Sequence, residues 1–273
     1  MNPRVSAWLV NGALGIAAAI SLFPLLWMLS VSFMPPGAAS TLPPPLLPRA
    51  PTLANYRELF ERAGVLQHLI NSLLVASAVT LGSLLFNTMA GYAFAKLPFA
   101  GREPLFKTLL GALVIPGQVA MMPLFLLLKQ MGLVNSYGGV IVPALASIFG
   151  IYLVREYARS IPDELIEAAR IDGAGEWRIF AAVIVPLLRP VLVSLAVFTF
   201  LGTWNDFMWP LIVLTDDDLQ TLPIALAQLS REHVQDNELM MAGSVITVLP
   251  VLALFLALQR HYIQGLLLGS LKG

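Results

Sequence analysis

The sequence predicts an all-α polytopic membrane protein with six transmembrane helices, and three observations predict it. Of 273 residues, 58% are hydrophobic and 12% charged, with a mean hydropathy of +0.79. Soluble domains carry about 25% charged residues and about 45–50% apolar ones. Six apolar runs, at 7–33, 69–95, 108–128, 133–154, 190–214 and 239–259, reach the length of about 20 residues that a helix needs to cross hydrocarbon. The basic residues also divide unevenly between the segments joining these runs. Lipid offers no partner to backbone polar groups, so each run is read as a helix.

The first run is the least interrupted. Gly37-Ala38-Ala39 loosely resembles a signal cleavage site, but the charge-free stretch Ala7–Met34 far exceeds a signal core of about 7–15 residues and is read as a retained span. Residues 34–68 then form an outer segment. Seven prolines between Met34 and Pro51 favour an extended strap, and Thr52–Phe60 reads as a short capped amphipathic helix. The second run carries Ser72, Ala76, Thr80, Ser83, Asn87 and Gly91 at helical spacing, so small and hydroxylated residues share one face. Such a stripe favours close helix packing. Asn87, whose amide is hard to satisfy in lipid, is the member assigned to a passage.

The third run is punctuated by Ile115-Pro116-Gly117-Gln118 and Pro123. Interruptions of this kind are tolerated where protein or a wet cavity satisfies the backbone, and Gln118 joins the passage candidates. The fifth run contains Thr203-Trp204-Asn205-Asp206-Phe207 ahead of Pro210. Asp206 is the acid set well inside an apolar run, and it reads equally as a functional group or as a cap on a broken helix. Trp204, Asn205 and Asp206 suit a hydroxyl-rich neutral solute, since the polar pair exchanges hydrogen bonds with hydroxyls and the indole offers an apolar face. The outer segment 215–238, with Asp216, Asp217, Asp218, Glu232, Asp236 and Glu238, reads as solvated charge, with the docking of a partner as the alternative.

Eleven Lys and Arg (residues 4, 96, 102, 107, 155, 159, 170, 178, 189, 260 and 272) fall on one side of the six runs, and five (49, 57, 62, 129 and 231) on the other. The positive-inside rule puts the first set, and with it both termini, in the cytoplasm. Residues 1–6 and the tail 263–273 are then cytoplasmic, as is the loop 160–189 within the core 69–262. That loop is unusually ordered for a connection. Asp163 and Glu164 suit the first turn of a helix, with Ser160 as its N-cap. Leu165, Ala168 and Asp172 share a face, Ala169 lies beside them, and Glu167 is within reach of Arg170. Gly173 supplies a left-handed stop, and a second helix begins near Gly175 and runs through Trp177 and Phe180. The expected product is a rigid knob of small residues whose acidic first turn disfavours an anionic lipid surface and favours a protein partner.

Several classes are excluded. With no cysteine and a net charge of zero, the chain has no thiolate chemistry and no basic surface for nucleic acid. His68, His233 and His261 are too far apart in sequence to show ligand spacing, and Asp206 has no intramembrane acidic companion. Lys96, Lys107, Lys129 and Lys272 follow Ala, Phe, Leu and Leu, so no phosphate-cradling Gly-Lys pair exists.

The run Glu167-Ala168-Ala169, then Gly173, then Val185-Pro186 resembles the "EAA" loop of permease subunits of binding-protein-dependent ABC importers. Thr52–Phe60, Ile115–Pro123, Ile161–Pro190, Gly202–Pro210 and Gln264–Gly273 extend the likeness to the maltose-transporter type of sugar permease, in particular its shorter membrane subunit. Val183 and Val185 fill the apolar pair before the loop proline, a conservative departure. The resemblance implies a type I ABC importer permease fold in a bacterial inner membrane. It implies two cytoplasmic ATPase subunits carrying ATP and Mg, a second and different permease chain, an external solute-binding protein and a sugar cargo. No cofactor is expected on this chain, which is not itself an enzyme. Glu167, Ala168, Ala169, Asp172 and Gly173 would dock the ATPase, with Glu167 meeting a basic residue, and Leu271, Lys272 and Gly273 would add a second contact. Alternatives are a non-sugar cargo, or an ion-coupled carrier using Asp206.

Overall fold

Helices dominate because hydrogen bonds within the segment are the simplest way to satisfy a backbone in hydrocarbon. The computed structural model describes residues 3–61, 63–232 and 236–270. Its α-helices in chain order are α1 (Pro3–Ser32), α2 (Ala54–Glu61), α3 (Val65–Lys96), α4 (Arg102–Ala112), α5 (Gly117–Gln130), α6 (Tyr137–Ala144), α7 (Ile148–Arg159) and α8 (Asp163–Ile171). They continue with α9 (Glu176–Ile179), α10 (Val185–Leu187), α11 (Arg189–Trp204), α12 (Met208–Val213), α13 (Leu222–Glu232) and α14 (Asn237–Ser270). Two structural units are distinguished: one holds the residues up to Gln67 together with Leu222–Pro250, the other holds His68–Thr221 and the residues from Val251 onward.

Four stretches are each long and apolar enough to cross a membrane: Val10–Ser32, Val65–Lys96, Tyr137–Arg159 and Asn237–Ala257. Two bent pairs, α4 with α5 and Glu176–Leu187 with α11, bring the number to six where each pair counts as one span. The third run is therefore not a straight crossing. It turns by 103° between α4 and α5, where Pro116 has no N–H to give and the preceding residues close only turn bonds, Leu113 N to Leu110 O at 3.1 Å and Ile115 N to Ala112 O at 3.1 Å.

In the first unit, the stretch Val10–Ser32 of α1 is apolar and largely uncovered, as suits a lipid-facing helix. The strap after it is tied back to its end. Asn55 donates to the carbonyls of Ser32 and Met34 at 2.9 and 2.8 Å, Ser30 Oγ donates to Leu46 O at 2.6 Å, and Thr52 N donates to Phe33 O at 2.9 Å. The short helix expected at Thr52–Phe60 is α2, with Thr52 Oγ1 accepting from Ala54 N at 3.1 Å. Glu238 corrects the reading of the outer acids as solvated charge: it is fully buried and accepts from Ala39 N at 2.6 Å.

In the second unit, the polar stripe of α3 is a packing face. Ser72, Ala76, Ser83 and Asn87 are buried, and Gly91 lies so close to α7 that a Cβ there would sit 2.7 Å from Val154. α6 and α7 form one span broken at residues 145–147. Asn87 Oδ1 accepts from Ser147 N at 2.9 Å, and its Nδ2 donates to Ser83 Oγ at 2.6 Å. A side chain of α3 thereby satisfies backbone that the break left unpaired, as any break in lipid requires. Gly150 makes room for this, since a Cβ there would lie 2.5 Å from Asn87 Nδ2 and 2.7 Å from Ser147 Oγ. Gly150→Ala is expected to cost about 1–3 kcal/mol through overpacking, read as a lower denaturation midpoint in detergent. An unchanged midpoint would contradict this account of the break.

Candidate functional site

The polar loop 160–189 folds as the hairpin of α8 and α9. α8 begins after Pro162 at its N-cap, with Asp163 and Glu164 in the first turn, where acids oppose the positive end of the helix dipole. Ser160 is not the N-cap expected from the sequence. It ends α7 instead, and its hydroxyl donates to Tyr157 O at 2.7 Å. Ile161 N is already taken by Ala158 O at 3.1 Å, and Pro162 has no N–H to offer the hydroxyl.

The end of α8 is set by backbone chemistry. Gly173 has φ of +79°. Ala174 N reaches Ala169 O at 3.0 Å and Gly173 N reaches Arg170 O at 3.0 Å, the two bonds of a Schellman turn. Across that turn Arg170 donates from Nε and Nη2 to the two carboxylate oxygens of Glu176 at 2.8 and 3.3 Å. The fork is bidentate and charge-assisted, the stronger form of such a bond. Arg170 therefore fastens α8 to α9, and Glu167, its expected partner, has no hydrogen bond or ion pair among the described residues.

The hairpin is anchored from beneath. Ile166 and Ile179 are buried in a core with Tyr92, Val154, Ala158 and Ile161, and Ala169 packs at its edge. Asp172 is the C-cap residue of α8. The other side is bare: Glu167 and Ala168 are exposed, Ile171 is 86% exposed and Trp177 73%. A rigid knob that leaves large apolar side chains in the open is shaped for a partner. From Phe180 to Ile184 the second arm passes through a π-helical turn into α10, and the chain bends by 77° into α11. The knob is thus joined covalently to a span.

The passage candidates are more scattered than the sequence suggests. Asn87 is buried at the α6–α7 break. Gln118 is exposed in the first turn of α5. Trp204 is buried and stacked on Phe200, with centroids 5.7 Å apart and rings 11° from parallel, so its face is already covered. Asn205 donates to Leu201 O at 2.9 Å. Asp206 Oδ1 accepts from Trp209 N at 3.3 Å, which makes it a cap for α12, one of its two readings. Sequence reasoning missed a cavity of about 320 Å³ lined by Ser83, Ser147, Thr199, Gly202 and Thr203 among others. Its signal was present in part: Thr199, Gly202 and Thr203 recur at helical spacing along α11. Also missed were Lys96, which contacts Ile161 and Asp163, and Arg155. Leu271, Lys272 and Gly273 lie outside the described residues, as does His233. Among the described residues no cluster of His, Asp or Glu could hold a metal ion.

A helical membrane chain of this architecture is a membrane transport permease of the type I importer fold. The family model described as "Binding-protein-dependent transport system inner membrane component" matches residues 87–267, and the chain belongs to that family. It is 38% identical over 272 residues to the arabinooligosaccharides transport system permease protein AraQ of Halalkalibacterium halodurans, covering 98% of each chain. It is 32% identical over 263 residues to the lactose transport system permease protein LacG of Rhizobium radiobacter, covering 95% of this chain and 94% of the relative. Its fold matches a chain in the crystal structure of a bacterial ABC transporter involved in the import of the acidic polysaccharide alginate. That match has a TM-score of 0.83 and 23% identity, and covers 95% of this chain and 97% of the other.

Proposed function

We propose that this chain is the permease subunit of an ATP-driven sugar importer, forming half of the translocation pathway with a second, different permease chain. The α8–α9 hairpin is its contact with one of two cytoplasmic ATPase subunits. An external binding protein delivers the sugar, and ATP with Mg is consumed on the ATPases. The observation that carries this reading is the hairpin, locked internally by the Gly173 turn and the Arg170–Glu176 fork while Glu167, Ala168 and Ile171 stay uncovered. Charge distribution supports a cytoplasmic place for it and for both termini. The family supports an inner-membrane setting, and the relatives named for arabinooligosaccharides and lactose support a sugar cargo.

The cavity beside Asn87, mostly apolar but carrying the hydroxyls of Ser83, Ser147, Thr199 and Thr203, supports a passage for a sugar, because serine and threonine both donate to and accept from sugar hydroxyls. Alternating access follows the broken spans, whose segments turn more easily against one another than a continuous helix bends. Asp206, employed as a cap, lends no support to an ion-coupled carrier. The test is purification of the tagged chain from solubilised membranes. Co-purification of a cytoplasmic ATPase and a second permease is expected. A chain that purifies alone, and moves solute in liposomes without ATP, would overturn the reading.

A further inference from the structure

Besides its two covalent arms and the apolar core beneath it, the hairpin is attached by a lysine of α3. Lys96 is the last residue of α3, where a cation suits the negative end of the helix dipole. Its Nζ donates to Ile161 O at 2.5 Å and to Asp163 Oδ1 at 2.6 Å. The Lys96 side chain is 8% exposed, against 72% for Asp163. A cation so nearly buried needs partners, and both of these lie at the entry to α8. Among the described residues this is the one ion pair between α3 and the hairpin.

The other end of the hairpin meets α3 quite differently. Between α3 and α9 lies a largely apolar cavity of about 220 Å³, lined by Met89, Tyr92, Leu97, Trp177 and Phe180 among others. Tyr92 and Phe180 touch there as tilted rings 5.5 Å apart, a contact without the directional demand of a charged hydrogen bond. One end of the hairpin is held by a charged hydrogen bond, the other by apolar packing beside a void.

From this we propose that Lys96 is a positioning residue of the coupling: it is the pivot that makes α3 follow α8 when a partner pushes the hairpin. The inference rests on the reading of the hairpin as the ATPase contact. It adds a route into α3 that the covalent path through α10 to α11 does not provide.

The absence of cysteine makes a site-specific test clean. Leu81→Cys on α3 and Arg178→Cys on the hairpin, both exposed, are spin-labelled separately in the complex purified with its ATPase, and the spectral change on adding ATP and Mg is recorded. With Lys96 present, both labels are expected to respond. In Lys96→Met the hairpin label still responds while the amplitude at the α3 label falls about tenfold, the scale of losing a charge-assisted hydrogen bond. Lys96→Arg, which restores charge and donors, keeps more than half of the amplitude. Asp163→Asn, which spares the carbonyl bond and alters an exposed group, gives an intermediate loss and serves should Lys96→Met fail to assemble. An α3 response unchanged in Lys96→Met, or an equal loss at both labels, overturns the pivot. A hairpin label silent to ATP with Lys96 intact overturns the ATPase contact itself, and the pivot with it.

Discussion

Glu167→Ala is expected to leave the chain folded and in the membrane while lowering ATP-driven uptake at least about tenfold. The first half follows from exposure. Glu167 contacts no ion-pair or hydrogen-bond partner among the described residues, and surface substitutions away from such features usually change stability by less than about 0.5 kcal/mol. The second half follows from what the helix offers a partner. Beside Ala168, which lets another backbone approach, Glu167 is the one charge on α8 not already engaged by Lys96, engaged by Glu176, or placed in the first turn or at the C-cap. Removing it takes away a directional contact and strands the partner's cation. Two measurements check this: uptake at matched chain levels, and ATPase recovered with the tagged chain. Glu176→Ala is the informative companion. It frees Arg170 and loosens the turn, so it should lower uptake less than Glu167→Ala does. Normal uptake in Glu167→Ala at normal expression would sink the docking role.

What the sequence makes legible is chemistry contained within a few residues. Gly173 is readable as a helix stop because the left-handed turn needs a residue without a Cβ and is followed within one position by its hydrogen bonds. The break at Pro116 is readable because a missing N–H is a property of one residue. Ser160 misleads by the same local logic. Its cap propensity says nothing of how far α7 runs, and because α7 continues to Arg159, Pro162 sets the start of α8 instead.

The illegible part depends on distance along the chain. By sequence, Lys96 and Arg155 mark only orientation, whereas Lys96 meets Asp163 and Arg155 meets Glu103, and no spacing rule reaches across such separations. Asn87 reads as a passage residue because a lone amide in lipid needs a partner. That partner is the backbone at Ser147, exposed by a break in another span. Trp204 shows an intermediate case. Its stacking on Phe200 is an i, i+4 relation that the sequence contains, but burial of the pair against the rest of the fold does not follow from spacing.

Arg155→Ala is expected to destabilise the chain by about 3 kcal/mol, mostly through loss of a packed and hydrogen-bonded guanidinium. The Arg155 side chain is 8% exposed, against 51% for Glu103 and 39% for Glu156. Its loss therefore leaves carboxylates that water can reach, and the two pairs contribute only about 0.5 kcal/mol each after screening. The substitution costs more at two other contacts. The Phe94 carbonyl loses the Nε donor at 3.3 Å, and the Phe106 ring loses a cation 3.9 Å from its centroid. Each is worth about 1–2 kcal/mol in a desolvated setting. Glu103→Gln should then cost under about 1 kcal/mol, and Arg155→Lys should fall between, keeping the charge while losing the planar fork and its stacking. Unfolding midpoints in detergent rank the three. If Glu103→Gln proves as costly as Arg155→Ala, the ion pair and not the packed guanidinium joins α4 and α7. The expected order instead makes Arg155 the point where α3, α4 and α7 meet. The C-terminal end of α3 then touches α7 through the Phe94 carbonyl, and Lys96, two residues further on, holds the hairpin.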